Sequence, residues 1–368
     1  MDTEVLIVGA GPGGLSAAIT LSKSGFKTTL IDQKLSIGEP VKCGEGEWEN
    51  ELESLKIPYK NFVSNKINYT KIIFPEDISI LTKNAAYVIL DRNNWEKNLA
   101  KIAANNGCNI FSGTCAKELV FQNGIVKAIN AFQLKEKIIF KPKFLILADG
   151  RFSIIRNYKE KINIDWNNYE KYILSAQYWM INIPIESNTR ELYIDKSITE
   201  VSYAWVFPKG EDEANIGLST SVGKNPIESL DNFLLNKKKL HKRNIIRITT
   251  ASIPISPPLS SHNFGNILLV GDAARLNDTI SNGGIERALI SGRKAAETII
   301  ENHNEGSTLS NYEFKLEPLI RKLQKSYQLR IKYTKLTQKD LILLGKRWKD
   351  VPKKDLNNIT LREILSSA

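Results

Sequence analysis

Gly9, Gly11 and Gly14 stand in the spacing Gly-x-Gly-x-x-Gly directly after the apolar run Val5-Leu6-Ile7-Val8, and Asp32 follows 23 residues after Gly9. Glycines so spaced let the chain turn tightly, let backbone approach a pyrophosphate and let a helix pack on a strand, while the N-terminus of that helix attracts phosphate. A carboxylate ending the next strand accepts hydrogen bonds from ribose hydroxyls, so the combination points to a dinucleotide site. Two more clusters, Asp149-Gly150-x-x-Ser153-x-x-Arg156 and Gly271-Asp272-Ala273-Ala274, each follow a buried-strand pattern. Each sets a carboxylate among small residues at a strand's C-terminal edge, where ligands of open α/β sheets lie. A simple nicotinamide dehydrogenase needs neither. The plain structural reading of each cluster alone is a glycine-rich turn. His241, His262 and His303 are isolated, without the spacing of a metal site, so no metal is expected.

The elements that position these residues are legible in outline. Val5–Val8 reads as a buried parallel strand, residues 15–24 as a helix and Lys27–Ile31 as a second strand, a βαβ unit. Residues 66–92 read as three short strands (72–74, 78–81, 87–90), and 93–106 as a helix capped by Asn93 and stopped by Gly107. Asn123-Gly124 between two apolar runs predicts a hairpin with a type I′ turn. Strands are expected at 144–148 and 266–270, and a helix at 285–302. Between them, about 165–255 is rich in Tyr, Trp, Ile and Thr and predicts an antiparallel sheet. The expected architecture is α/β: a Rossmann-like nucleotide-binding domain over 1–160 and 260–305, interrupted by an antiparallel-sheet domain over 161–259 with a contribution from about 61–90. A basic helical region over 306–368 completes it.

As a set, these motifs resemble the FAD-binding proteins of the para-hydroxybenzoate hydroxylase type. That resemblance implies FAD held by Gly9, Gly11, Gly14 and Asp32 on its ADP half, by Asp149 and Gly150, and by Gly271 and Asp272 at the ribityl chain. It also implies Arg92 ahead of the second helix, and Gly283, Gly284 and Ile285 beside the flavin. A narrower resemblance lies inside it. Pro40-Val41-Lys42-Cys43-Gly44-Glu45-Gly46 is similar to the Pro-Val-x-Cys-x-Glu-Gly segment of the geranylgeranyl reductase family. Tyr203-x-Trp205-x-Phe207-Pro208 with Gly217 is similar to that family's substrate-site motif. The family implies hydrogenation of prenyl double bonds, with Cys43 as proton donor or redox-active thiol and, with Gly44, near the cofactor. Tyr203, Trp205, Phe207, Pro208 and Gly217 would line the substrate pocket. Arg275, Thr279 and Asn282 depart from the family's usual residues beside the flavin, and Ser219 stands where a second glycine is usual.

The residues leave other readings open: Cys43 as a small buried residue in a glycine-rich loop, and Tyr203 and Trp205 as one face of a sheet packed in a core. At the level of function, an aromatic or quinone monooxygenase on the same scaffold and a flavin- or lipid-binding protein without turnover remain alternatives. Composition narrows the field further. The chain has 368 residues, 42% hydrophobic and 25% charged, which excludes disorder. Three cysteines exclude a disulfide framework and fit a reducing compartment. The opening Met1-Asp2-Thr3-Glu4 lacks the basic stretch of a signal peptide, so a cytoplasmic location is expected, peripheral to the membrane if it meets one.

Net charge is +11, and nearly all of that excess falls within 321–354. Those basic residues, with Tyr333, Leu336, Leu341, Leu343, Leu344 and Trp348 between them, read either as a solvated helical face or as a contact with anionic phospholipid. Nucleic acid is unlikely, since no binding module accompanies the charge. No second glycine fingerprint offers a separate nicotinamide domain, which leaves NADPH bound transiently or a ferredoxin as electron donor. The expected substrate is a polyprenyl (phospho)lipid.

Overall fold

A computed structural model describes residues 1–162, 171–352 and 356–368, with Asn84 and Ala85 by backbone alone. The chain divides into two compact units: residues 1–39, 92–170 and 256–325, and residues 40–91, 171–255 and 326–368. Residues 163–170, within which the interrupting sheet was expected to begin, lie outside the described residues, as do Lys353 and Lys354 of the basic region.

The first unit is built on a sheet in the order Asn263–Phe264, Ile267–Leu269, Glu136–Leu147, Asp2–Val8, Thr28–Ile31 and Asn109–Phe111. Asp2–Val8 runs parallel to both neighbours, with Val8 opposite Ile31 on one side and Leu147 on the other. Continuous aliphatics suit a strand covered on both faces, and Val5, Leu6 and Ile7 are fully buried. The helix Pro12–Lys23 packs so closely on Ile285–Glu305 that a Cβ at Gly292 would lie 2.0 Å from the Gly13 carbonyl oxygen. The hairpin Thr114–Gln122/Ile125–Gln133 turns at Asn123 (φ 52°) and Gly124 (φ 74°), the positive angles a type I′ turn requires.

Two local expectations are corrected. The three short strands of 66–92 are two long ones, Val63–Ile73 and Ser79–Leu90. Irregular register between Ile67 and Tyr69 absorbs the interruption that looked like a turn. The helix begins at Arg92, so Asn93 lies inside its first turn and is not its cap.

The second unit holds another sheet, in the order Ile245–Pro254, Tyr172–Met180, Ala214–Thr220, Ala204–Pro208, Thr189–Tyr193, Val63–Ile73, Ser79–Leu90 and Gly46–Trp48. Its pairings are antiparallel except where Thr189–Tyr193 joins Val63–Ile73. Strand alternation sorts its residues by face. Ala176, Tyr178, Ala204, Val206, Ile216 and Leu218 enter a core with Leu230 and Phe233 of the helix Pro226–Phe233.

The C-terminal region is helical as expected, with helices Asn311–Lys335, Gln338–Lys349 and Leu361–Ser366. Its apolar residues are not one exposed stripe, however. Tyr333, Leu341 and Leu344 are core residues, Leu336 and Trp348 are half-buried, and Leu343 is exposed. The Tyr333 hydroxyl donates to the Ser202 carbonyl at 2.7 Å, and Gln338 Nε2 to Asp195 at 2.8 Å, which spends much of this apolar surface inside the fold.

In the first unit the start of the helix Asn311–Lys335 is tied to the sheet by Glu313. Burial alone would raise its pKa, but hydrogen bonds from the His262 ring and backbone and from the Ser261 hydroxyl outweigh that and hold it at about 2. A carboxylate whose folded pKa lies below its ordinary value of 4.5 stabilises the fold above that value. The stabilisation is lost as pH falls from 4.5 toward 2, and amounts to roughly 2 kcal/mol after solvent screening. Thermal melts of Glu313→Gln against pH should therefore show a deficit at neutral pH that narrows below about pH 4.5 and closes toward pH 2. A deficit unchanged at acid pH would contradict the assignment.

Candidate functional site

Two constellations, one in each unit, carry the chemistry-bearing residues. In the first, the strand Asp2–Val8 hands the chain to a turn in which Gly9 adopts φ +104°. A Cβ on Gly9 would lie 2.3 Å from the Ala148 carbonyl oxygen, and one on Gly14 would lie 1.8 Å from the Gly9 carbonyl oxygen. These two glycines are demanded by backbone packing. Gly11 differs, since a Cβ there would meet nothing within 4 Å, and it opens the helix Pro12–Lys23 without any side-chain cap. An open space above an uncapped helix N-terminus is what a pyrophosphate needs. Asp32 ends the adjacent strand, and its carboxylate accepts from the backbone of Ala10 at 2.6 Å and Lys34 at 2.8 Å. Each oxygen keeps a further lone pair for a ribose hydroxyl.

Asp149 and Gly150 follow Leu147 at the end of the neighbouring strand, beside Gly9. Burial pushes the Asp149 carboxyl up to about 6, against the pull of Ser153 and of the Ile154 amide, which donates at 2.8 Å. Asp272 follows Gly271 after the strand Ile267–Leu269. Its side chain is reached by solvent, yet the surrounding protein desolvates it enough to raise its pKa, with the charges of Arg92 and Arg151 opposing. Arg92 opens its helix and pairs with the buried Glu96. A Cβ at Gly284 would lie 3.6 Å from Asp272 Oδ1, and Gly284 and Ile285 start the helix Ile285–Glu305, with Gly283 just before them.

At two of the positions that depart from the resembled family the backbone is left-handed. Arg275 and Asn282 both adopt φ +54°, a conformation that glycine takes without strain and asparagine tolerates. Arg275 bears the cost with its side chain buried.

In the second unit the strand Ala204–Pro208 turns Trp205 and Phe207 to the sheet face opposite the apolar core, and Tyr203 precedes them. All three are buried, with ring centroids 6.0 Å apart for Tyr203/Trp205 and 6.3 Å for Trp205/Phe207. Gly217 faces Trp205 across the strand pair, and a Cβ there would lie 2.4 Å from the indole. Pro208 ends the strand. The loop bearing Cys43 lies on this face: a Cβ on Gly44 would lie 2.7 Å from the Phe207 ring. Cys43 Sγ accepts the Glu45 N–H at 3.2 Å.

Several residues here were not foreseen from the sequence. Gln177 donates to the Cys43 carbonyl at 2.9 Å and accepts from the Trp205 indole at 3.1 Å. Glu45 is buried and accepts from Lys209 at 2.6 Å and Asn215 at 2.7 Å, with Arg247 at 3.6 Å. A buried carboxylate stays charged only with such compensation. The Arg190 guanidinium lies 3.5 Å from the Tyr87 ring centroid and 5.3 Å from that of Trp48. Glu45 falls inside a motif quoted above, and Asn215 stands two residues before Gly217. Gln177 had one signal, an amide that with Ser175 interrupts a mostly apolar strand.

A family model described as "Geranylgeranyl reductase catalytic domain" matches residues 172–253, and one described as "Thi4 family" matches residues 1–139. A digeranylgeranylglycerophospholipid reductase of Methanocella arvoryzae is 30% identical, over 99% of this chain and 95% of that protein. The protein of the same name from Thermoplasma acidophilum is 33% identical over 85% of this chain and 83% of its own. The crystal structure of a geranylgeranyl bacteriochlorophyll reductase-like protein from Thermoplasma acidophilum superposes with a TM-score of 0.88 at 30% identity, covering 100% of this chain and 95% of that one. The fold extends to the p-nitrophenol 4-monooxygenase PnpA of Pseudomonas putida, with a TM-score of 0.75 at 15% identity, covering 100% and 97% of the two chains. A relative 33% identical over most of both chains, with a catalytic-domain match on the strands that carry Gln177, Trp205 and Gly217, settles the kinship: the chain belongs to the geranylgeranyl reductase family.

Proposed function

We propose that this protein is an FAD-dependent reductase that hydrogenates carbon–carbon double bonds in the geranylgeranyl or related polyprenyl chains of membrane lipids or their precursors. The observation that carries the reading is the near full-length likeness to digeranylgeranylglycerophospholipid reductases, together with the dinucleotide cradle. The residues fit FAD. Space above Gly11 and the uncapped helix take the pyrophosphate, Asp32 the ADP ribose, and Asp272 the ribityl chain, with Asp149, Gly150, Arg92, Gly271, Gly283, Gly284 and Ile285 completing the cradle.

When bound and reduced, FAD supplies a hydride from N5. The chain's own residues have three tasks. Tyr203, Trp205, Phe207, Pro208 and Gly217 give an apolar wall that excludes water from the prenyl chain, and the aromatic faces stabilise positive charge developing on a trisubstituted carbon. Cys43 gives the proton. Its sulfur accepts the Glu45 N–H, which leaves the thiol's own proton for another group. One proton and one hydride then add across each double bond, and the thiolate regains a proton from water.

The electron donor is NADPH or a ferredoxin, and chemical reduction by dithionite bypasses that step. No described helix is long and apolar enough to cross a membrane. Access to a lipid substrate is assigned to the basic region 321–354; among its described residues the lysines, Arg321 and Arg347 are exposed and fit an anionic lipid surface, while Arg330 is buried. The test is anaerobic: FAD-loaded, dithionite-reduced protein with geranylgeranyl lipid, read by mass spectrometry. Additions of two hydrogens per double bond support the reading, and loaded, reduced protein that leaves the lipid mass unchanged overturns it.

A further inference from the structure

We infer that Gln177 is a positioning residue for the proton-transfer step: its side-chain amide fastens the Cys43 loop to the Trp205 wall. The role rests on Cys43 being the proton source. Gln177 lies in the middle of Tyr172–Met180 and is almost completely buried. Gln177 and Trp205 are both paired in register with Gly217, one from each side, so Gln177 and Trp205 flank that glycine on the same sheet face. Burying an amide costs free energy unless both ends are satisfied, and here both are.

The polarity of this bridge is fixed by its partners. The Cys43 carbonyl can only accept and receives Nε2 at 2.9 Å; the Trp205 indole can only donate and gives to Oε1 at 3.1 Å. A neutral side chain of this length with one donor end and one acceptor end meets both demands. Glutamate keeps the indole bond but offers an acceptor to a carbonyl. Methionine keeps the bulk and offers neither.

The loop has a second tether. Asn215 Nδ2 donates to the Gly44 carbonyl at 3.3 Å and to Glu45 at 2.7 Å, while Lys209 holds the same carboxylate. Glu45 itself turns through the left-handed region, φ 68°, and its N–H donates to Cys43 Sγ. The thiol is thus carried between two clamps. Freeing the Gln177 side lets the sulfur drift while Glu45 keeps the loop attached, so a defined loss is expected in place of unfolding. Misplacing a reacting group by about 1 Å costs on the order of a hundred-fold in rate.

The experiment uses full-length, FAD-loaded protein with Gln177→Glu and Gln177→Met. It measures peptide-resolved alkylation of Cys43 by iodoacetamide, and single-turnover hydrogenation of geranylgeranyl lipid after dithionite reduction. Gln177→Glu is expected to alkylate at Cys43 about five- to ten-fold faster, the worth of a released hydrogen bond. Its maximal rate should fall about ten- to a hundred-fold with little change in the half-saturating lipid concentration. In a Cys43→Ala background the same substitution should cost nothing further, because both changes act on one step. Gln177→Met should speed alkylation equally and, having also freed the indole, raise the half-saturating concentration. Alkylation and rate both at the wild-type level in Gln177→Glu, or an undiminished loss in the Cys43→Ala background, would overturn the role. If the wild-type protein hydrogenates nothing, the reductase reading has failed, and the alkylation comparison still decides whether Gln177 holds the loop.

Discussion

Replacing Cys43 by alanine is expected to lower single-turnover hydrogenation by about a hundred-fold or more, while FAD loading and the thermal midpoint stay at wild-type values. Both halves of that expectation follow from the loop. Cys43 is half-buried, and its carbonyl, which Gln177 holds, is unaffected by the substitution. The neighbouring tether through Glu45, Lys209 and Asn215 is likewise untouched. What alanine removes is the thiol, which in the proposed mechanism gives the proton. An isolated alkene offers no carbonyl to polarise, so loss of the proton source falls on the maximal rate and not on lipid binding. Cys43→Ser should lie between, because a hydroxyl releases its proton less readily than a thiol. Unchanged turnover in Cys43→Ala would remove the role and leave ordered water as the proton source.

The second large effect separates two glycines of one motif. Gly14→Ala is expected to yield misfolded or FAD-free protein, since its Cβ would be driven to 1.8 Å from the Gly9 carbonyl oxygen, where no flexible side chain can give way. Gly11→Ala should fold normally. Its φ of −79° suits any residue, and the added methyl meets no protein atom within 4 Å. That methyl would occupy the space assigned to the pyrophosphate, so FAD affinity should drop about a hundred-fold, as overpacking of this size costs a few kcal/mol. Fluorescence titration of FAD with purified apoprotein, beside a thermal melt, measures both. A Gly11→Ala protein that binds FAD like wild type would place the cofactor elsewhere.

How much of this was legible in the sequence depends on the range of the interaction. The Gly9–Gly14 turn, the strand ending at Asp32 and the Asn123-Gly124 hairpin are local, and their residue types demand the backbone they adopt. The aromatic row of Tyr203, Trp205 and Phe207 is legible by strand alternation. Gln177 was not legible: its partners lie 134 and 28 residues away, and periodicity says nothing about which loop will cross a sheet face. Lys209 meets Glu45 across 164 residues, a pairing that no local spacing announces. The C-terminal region is legible as basic and helical, but not in where its apolar residues go: Tyr333 of Asn311–Lys335 and Leu341 and Leu344 of Gln338–Lys349 are buried. Arg275 shows the reverse case, a long side chain on a backbone in the left-handed conformation that glycine favours.

The most direct test of the whole account is hydrogen addition itself. FAD-loaded protein, reduced by dithionite under anaerobic conditions and mixed with geranylgeranyl phospholipid, should yield lipid heavier by two hydrogens at each reduced double bond, in steps. Run in deuterated water, both atoms of each pair should be deuterium, because dithionite supplies electrons alone and the hydrogens on reduced flavin N5 and on the Cys43 thiol both exchange with solvent. Lipid of unchanged mass in the presence of bound, reduced FAD would contradict the account and turn attention to oxygen chemistry or to binding without turnover.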